Sequence, residues 1–229
     1  MNQLSKISCL IGLSVLLIFT SCKWSNRAKG TTIGAGSGAA IGGAIGKKAG
    51  NTTVGILIGA AVGGTAGYFI GRYMDKQAEE IRQDLAGAEV ERVGEGILIT
   101  FNSSLLFPVD SYQLNSASKQ DVRELATILN KYDDTEIVVQ GHTDNTGSDE
   151  YNLTLSRNRA FAVKDILRQQ QVENVRLNIE GYGEEMPTAS NETQSGRQQN
   201  RRVEIAIYAN KKLKKAAKKG QLEEYAGTK

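Results

Sequence analysis

One carboxylate and one guanidinium stand fifteen positions apart in this chain. Asp144 lies in the run Gly141-His142-Thr143-Asp144-Asn145-Thr146-Gly147, and Arg159 lies in Leu155-Ser156-Arg157-Asn158-Arg159-Ala160. The first run is short, polar and glycine-bounded, as loops are. The second has helical spacing, and Asn152 precedes Arg159 by seven residues, about two turns, so the two share a face. A carboxylate accepts hydrogen bonds from an ammonium group, and a guanidinium offers a planar fork to a carboxylate. Together they hold a ligand that carries both charges on one carbon. Thr143 and Asn152 add neutral hydrogen bonds, Ser104 follows a first strand, and Arg201 and Arg202 open a last one. The structural alternative is that Asp144 only shapes its turn and Arg159 only braces the loop.

Other chemistries find little support. His142 is the one histidine, and the two cysteines, Cys9 and Cys22, both precede residue 23. No cysteine therefore serves beyond that point as nucleophile, disulfide partner or zinc ligand. His142 and Asp144 lack an accompanying nucleophile in a recognisable frame, so no catalysis is expected. Asp144-Asn145-Thr146-Gly147-Ser148-Asp149-Glu150 has its glycine misplaced for a calcium-binding hand, and no metal or cofactor is expected. The net charge is +3, but Lys211–Lys229 holds seven Lys against two Glu, which leaves the remainder net negative. Nucleic acid is not an expected partner.

The elements that position the pair read as alternating strands and helices. Ile97, Ile99 and Phe101 share one face of a strand. A helix capped by Asn115 or Ser116 runs to about Tyr132. A buried strand covers Glu136–Gln140, and a long helix covers about Asn152–Gln170. Val175, Leu177 and Ile179 alternate in a third strand, a short helix falls near Gln194–Asn200, and Val203, Ile205 and Ile207 make the last strand. The fold class is α+β, a two-layer βαβαββ sandwich over residues 93–210, with the ligand crevice at the loop end of the sheet.

The preceding segments read as a device for membrane attachment. Residues 1–21 carry Lys6 and a short apolar run, as an export signal does. Thr20-Ser21-Cys22 resembles a bacterial lipoprotein signal, which implies lipidation at Cys22, and residues 22–30 follow as a polar spacer. In residues 31–74, Gly34, Gly38, Gly42, Gly46 and Gly50 recur every four positions, and Gly55, Gly59, Gly63, Gly67 and Gly71 repeat the pattern. Isolated helical glycines cost roughly 1 kcal/mol each. Glycines in register compensate where a second helix packs closely. The segment is expected to be a membrane-associated helical hairpin, Thr31–Lys48 and Thr53–Met74, and it resembles the glycine zippers of envelope lipoproteins. Its glycine stripes also suit self-association, as a homo-oligomer whose zipper is itself the functional unit, a pore or scaffold. Residues 75–92 read as a solvated, charged helical spacer, and residues 211–229 as a basic, disordered tail.

Four separated motifs then converge. Gly141–Gly147, the Asn152-Leu153 and Leu155-Ser156-x-x-Arg159-Ala160 pattern, Gly181-Tyr182-Gly183 and Asn200-Arg201-Arg202-Val203-Glu204-Ile205 resemble the OmpA-like peptidoglycan-binding domain, in its order and spacing, from about Ile97 to Tyr208. The resemblance implies an outer-membrane lipoprotein whose periplasmic domain grips meso-diaminopimelate of the peptidoglycan stem. Asp144 and Arg159 match the family's clamp, and Asn152 matches a ligand-contacting asparagine. Ser104 holds a variable position in the first-strand loop. Arg201 and Arg202 match a paired arginine. Strand alternation puts Arg201 with Val203 and Arg202 with Glu204, which leaves open which of them enters the crevice.

Overall fold

The order of elements follows the apolar pattern, with additions at both ends. The computed structural model describes residues 52–220 apart from Ala86 and Val109. The signal, Cys22, its spacer, the first glycine block and the last nine residues lie outside the described residues. All the described residues belong to one compact unit, Ile33–Lys229.

In chain order the elements are α1 (Thr52–Ala60), α2 (Gly64–Asp84), β1 (Glu89–Val93), β2 (Gly96–Asn102), α3 (Ser103–Leu106), α4 (Ser116–Lys131), β3 (Thr135–Gly141), α5 (Asp149–Gln169), β4 (Leu177–Gly181), α6 (Gln194–Asn200), β5 (Arg202–Ala209) and α7 (Lys211–Lys218). The sheet order is β1-β2-β5-β3-β4. Only β3 and β4 are parallel, as their connection through α5 requires. The class is α+β.

Alternation divides the strands cleanly. Ile97, Ile99, Phe101, Ile137, Val139, Val203, Ile205 and Ile207 form the inner face, buried against helices. Leu125 and Leu129 of α4 and Val163 and Leu167 of α5 meet them there. Asn115 caps α4 through Ser118 N–H at 2.9 Å, and Ser148 caps α5. These caps satisfy donors that a helix start leaves free.

The N-terminal part departs from the expected organisation. The single helix anticipated over Thr53–Met74 is two helices, broken where Gly63 and Gly64 adopt φ of +72° and +62°. Two consecutive left-handed residues reverse the chain sharply, and glycine does this without Cβ strain. The Glu95 carboxylate, in the β1–β2 turn, accepts the amides of Val62 at 2.7 Å and Gly63 at 2.6 Å. α1 then lies on the outer face of the sheet, where Ile56, Leu57 and Ala60 pack on Leu98, Val138, Ala206 and Tyr208. At Gly67 a Cβ would sit 2.2 Å from Glu95 Oε1, and at Gly96 one would sit 2.5 Å from Leu57. These glycines make room for the protein's own β-hairpin and helix. No helix among the described residues is long and apolar enough to cross a membrane.

The charged stretch 75–92 is not a uniform solvated helix. α2 continues to Asp84 and buries Met74, Ala78 and Ile81 in the main core, a one-sided stripe that the surrounding charges mask in sequence. The remainder forms β1, an edge strand paired with β2 from Glu89↔Thr100 to Val93↔Gly96. Its Glu and Arg side chains are the usual guard of a sheet edge. The basic tail also begins as structure. α7 buries Leu213, Ala216 and Ala217, whose i, i+3, i+4 spacing makes a narrow apolar stripe among lysines. Val175, expected in a strand, falls in a 3-10 turn and is 84% exposed.

Candidate ligand-binding site

The site sits where β3 ends and β5 begins. Two glycines let α5 pass directly over the strand ends. A Cβ at Gly141 would lie 2.0 Å from Ser156 O, and one at Gly181 would lie 2.7 Å from Arg157 N. Any side chain at either position pushes the helix off the sheet, and Arg159 moves with it. Gly183, at φ +52°, turns the chain so that its N–H donates to Ser156 Oγ at 2.9 Å and its carbonyl accepts the Thr143 amide at 2.8 Å. The loops after β3 and β4 are thereby held together.

Asp144 is 5% exposed. Its Oδ1 accepts the Thr146 amide at 2.9 Å, and its Oδ2 accepts Arg201 Nη1. Burial alone would raise its pKa. The Thr146 amide and the Arg201 guanidinium outweigh burial and hold the carboxyl below its ordinary value, so it stays ionised. Asn152 is buried and donates through Nδ2 to Asp144 O at 3.3 Å and to Glu184 Oε2 at 2.7 Å.

Arg159 enters from α5. Its Nε donates to the Ser111 carbonyl at 3.0 Å, and its guanidinium carbon lies 5.3 Å from the centre of the Phe107 ring. The two Nη groups make no hydrogen bond among the described residues. Burial lowers the guanidinium's pKa and Arg201 adds to that shift, while Tyr151, Asp110 and Asp144 act against it. Arginine remains charged throughout. One buried carboxylate and two guanidiniums thus face one another across short range. One of the guanidiniums has unused donors.

The paired arginines separate in role. Arg201 is 36% exposed at its side chain and reaches Asp144. Arg202 is buried on the outer side. It donates through Nε to Glu204 Oε1 at 2.6 Å and through Nη2 to Met186 O at 3.2 Å. Thr53 Oγ1, from α1, touches both Glu204 and Gln140. The structure therefore brings together Asp144, Asn152, Arg159 and Arg201, and places Arg202 elsewhere.

Ser104 and Thr143 occupy supporting places. Ser104 is exposed, and its Oγ donates to Asn102 Oδ1 at 2.8 Å at the start of α3. Thr143 is 5% exposed; its hydroxyl has no partner among the described residues. His142 is 2% exposed and stacks on Tyr182, with ring centres 5.6 Å apart. Burial, reinforced by Arg202, pushes its pKa well below the ordinary histidine value. Both ring nitrogens lack partners among the described residues. Ser111, Phe107, Thr146 and Glu184 were missed as site residues from sequence. Ser111 and Thr146 act through backbone atoms, which leave no trace in residue type. Phe107 and Glu184 acquire their roles only when loops distant in sequence converge.

This arrangement on a sheet ordered β1-β2-β5-β3-β4 defines an OmpA-like domain, and residues 106–201 match the OmpA family. Residues 1–75 match a YMGG-like Gly-zipper. The chain belongs to the OmpA family. It is 36% identical over 182 residues to the probable lipoprotein YiaD of Escherichia coli K12, covering 77% of this chain and 83% of that protein. It is 26% identical over 140 residues to the peptidoglycan-associated lipoprotein of Buchnera aphidicola, covering 61% of this chain and 80% of that one. Among solved structures, the cell wall anchor of the T6SS from Pseudomonas aeruginosa superposes with a TM-score of 0.51 at 28% identity, over 62% of this chain and 97% of that one.

Proposed function

We propose that the crevice of Asp144, Arg159 and Arg201 binds peptidoglycan non-covalently, by gripping the free amino-acid end of diaminopimelate in the stem peptide. With Cys22 lipidated, this binding tethers the outer membrane to the cell wall, with the domain in the periplasm. The observation that carries the reading is the buried, ionised Asp144 set beside two guanidiniums, one of which has unused donors. The ligand ammonium takes the place of Arg201 on Asp144. The ligand carboxylate receives the free Nη groups of Arg159, and Arg201, released, closes on the same carboxylate. Neutral hydrogen bonds from Asn152 fix the loop that presents Asp144. His142 is sequestered behind Tyr182, and the reading assigns no bond-breaking step. The names of the relatives support it: one is a lipoprotein, one a peptidoglycan-associated lipoprotein and one a cell wall anchor.

The test is co-sedimentation of the purified full chain with sacculi. Removing one partner of a buried, hydrogen-bonded charge pair costs about 2–5 kcal/mol, at least roughly thirty-fold in affinity. Asp144→Ala and Arg159→Ala should therefore each leave the protein in the supernatant while it still unfolds cooperatively. Sacculi with lysine in the stem lack the second carboxylate and should bind weakly. Full pelleting by both single variants would refute the clamp, and equal pelleting on both kinds of sacculi would refute the diaminopimelate specificity.

A further inference from the structure

The second glycine block is folded in two, and the fold reverses the route of the chain. Thr53, at the start of α1, touches Gln140 and Glu204. These stand at the end of β3 and the start of β5, the crevice end of the sheet. The other end of α1 meets the β1–β2 turn, where Glu95 holds the amides of Val62 and Gly63. That turn lies at the far end, since Ile97 pairs with Ile207. α2 starts at the same turn and follows β1 back. Gly67 faces Glu95, Arg92 Nε donates to Asp75 Oδ1 at 2.8 Å, and Arg82 Nε reaches the Val90 carbonyl at 3.1 Å. Produced backwards, the axis of α2 therefore leaves the domain past the β1–β2 turn.

The two helices are held by different cores. Ile56, Leu57 and Ala60 of α1 belong to a small cluster with Leu98, Val138, Ala206 and Tyr208, whereas Ile70, Met74, Ala78 and Ile81 fix α2 in the large one. α1 can lift while α2 stays. What interrupts a continuous helix is local. Gly63 has φ +72° and ψ 177°, and Gly64 has φ +62°. Glycine takes a helical φ as readily as these. In a straight helix the Val62 and Gly63 amides pass from Glu95 to the carbonyls of Ile58 and Gly59, four residues back. Neither form strands those donors.

We propose that α1 is a releasable strap with two positions: folded back on the outer face of the sheet, and swung about Gly63–Gly64 into one straight helix with α2, about 50 Å long at the helical rise. The folded-back form buries the small apolar cluster and is the resting one. Release moves Thr52 from the crevice end of the sheet to about 18 Å beyond the start of α2. A pull that draws residue 52 away from the crevice acts differently on the two forms and selects the straight one. An anchored Cys22 and a wall-bound crevice supply that pull, so the strap sets the span between membrane and wall. This spacing role rests on the wall-binding reading above; the two positions of α1 do not.

The test uses the full chain in detergent micelles, with Cys9→Ser and Cys22→Ser removing the native thiols. Spin labels are placed at Ile58→Cys, on the exposed side of α1, and at Gln198→Cys, on the exposed surface of α6, and their separation is read by double electron–electron resonance. With the native hinge the short distance should dominate. A Cβ at Gly63 or Gly64 meets nothing within 4 Å, so alanine there probes backbone conformation alone. Alanine is strained at these dihedrals and favours helix over glycine. Gly63→Ala with Gly64→Ala should therefore shift the ratio roughly a thousandfold toward the straight form, giving one narrow distance longer by about 15 Å or more. Leu57→Ser, which loosens the strap and keeps the hinge, should move part of the population to the same long distance. A short distance kept by the alanine pair, or a broad distribution in place of the long one, overturns the proposal. Sacculus pelleting of the chain with its native hinge reads the crevice separately, so failure of one assignment is not mistaken for failure of the other.

Discussion

Arg201 donates to Asp144 across the mouth of the sheet while its neighbour Arg202 turns to the other face and pairs with Glu204. Adjacent arginines in one motif thus serve a crevice and a core. Arg201→Ala leaves the buried Asp144 with the Thr146 amide but without its guanidinium, so it should cost about 1–3 kcal/mol and should weaken sacculus binding. Arg202→Ala leaves Glu204 buried without its partner and should cost about 3–5 kcal/mol. Urea unfolding of the two variants, beside their pelleting, checks the division.

The depressed pKa of Asp144 fixes a direction for pH dependence. Between its folded value and the ordinary aspartate value of about 3.9 the unfolded chain binds the extra proton. The contribution of Asp144 to stability is therefore complete above about pH 4 and is lost as pH falls through the folded value. Sacculus binding should follow the same titration. An Asp144→Asn variant should lack this limb in a plot of urea midpoint against pH.

His142 supplies a second limb. It stays neutral in the fold, whereas the unfolded chain takes up a proton below about pH 6.5. Stability should fall as pH drops below that value, by up to about 1.4 kcal/mol per pH unit, until the folded histidine titrates. His142→Phe keeps the stack on Tyr182, removes two unpaired nitrogens and should flatten the slope. Its pelleting with sacculi should be unchanged.

Gly141→Ala should harm both fold and site. The new Cβ meets Ser156 O, so α5 must move, and overpacking of this kind costs about 1–3 kcal/mol. Arg159 lies one turn further along the same helix. Pelleting should drop together with the urea midpoint.

The seat of α1 is open to direct measurement. Leu57 is fully buried against the outer face, and Leu57→Ala should cost about 2–5 kcal/mol. A fragment beginning at Val93 loses α1, α2 and most of β1, and should unfold at lower urea than one beginning at Thr52. Equal midpoints would show that the second glycine block contributes nothing to the domain.

Much of this protein is local, and what is local is legible in the chain. The strands around Ile99, Val139 and Ile205, the cap at Asn115, the helix bearing Asn152 and Arg159 and the turn at Asp144 all follow from period, capping chemistry and composition. The motif pattern identifies the family, because four spaced motifs constrain one another. Tertiary structure decided the remainder. Glycines every four residues look the same whether they meet a second helix or the protein's own β-hairpin, and only the position of Glu95 and Leu57 distinguishes the two. The charges of 75–92 and 211–218 conceal narrow apolar stripes that matter only once the core is there to receive them. Arg201 and Arg202 are the same side chain one peptide apart. Pleat direction assigns them to opposite faces, and which face holds the crevice depends on where β3, β4 and α5 have brought Asp144.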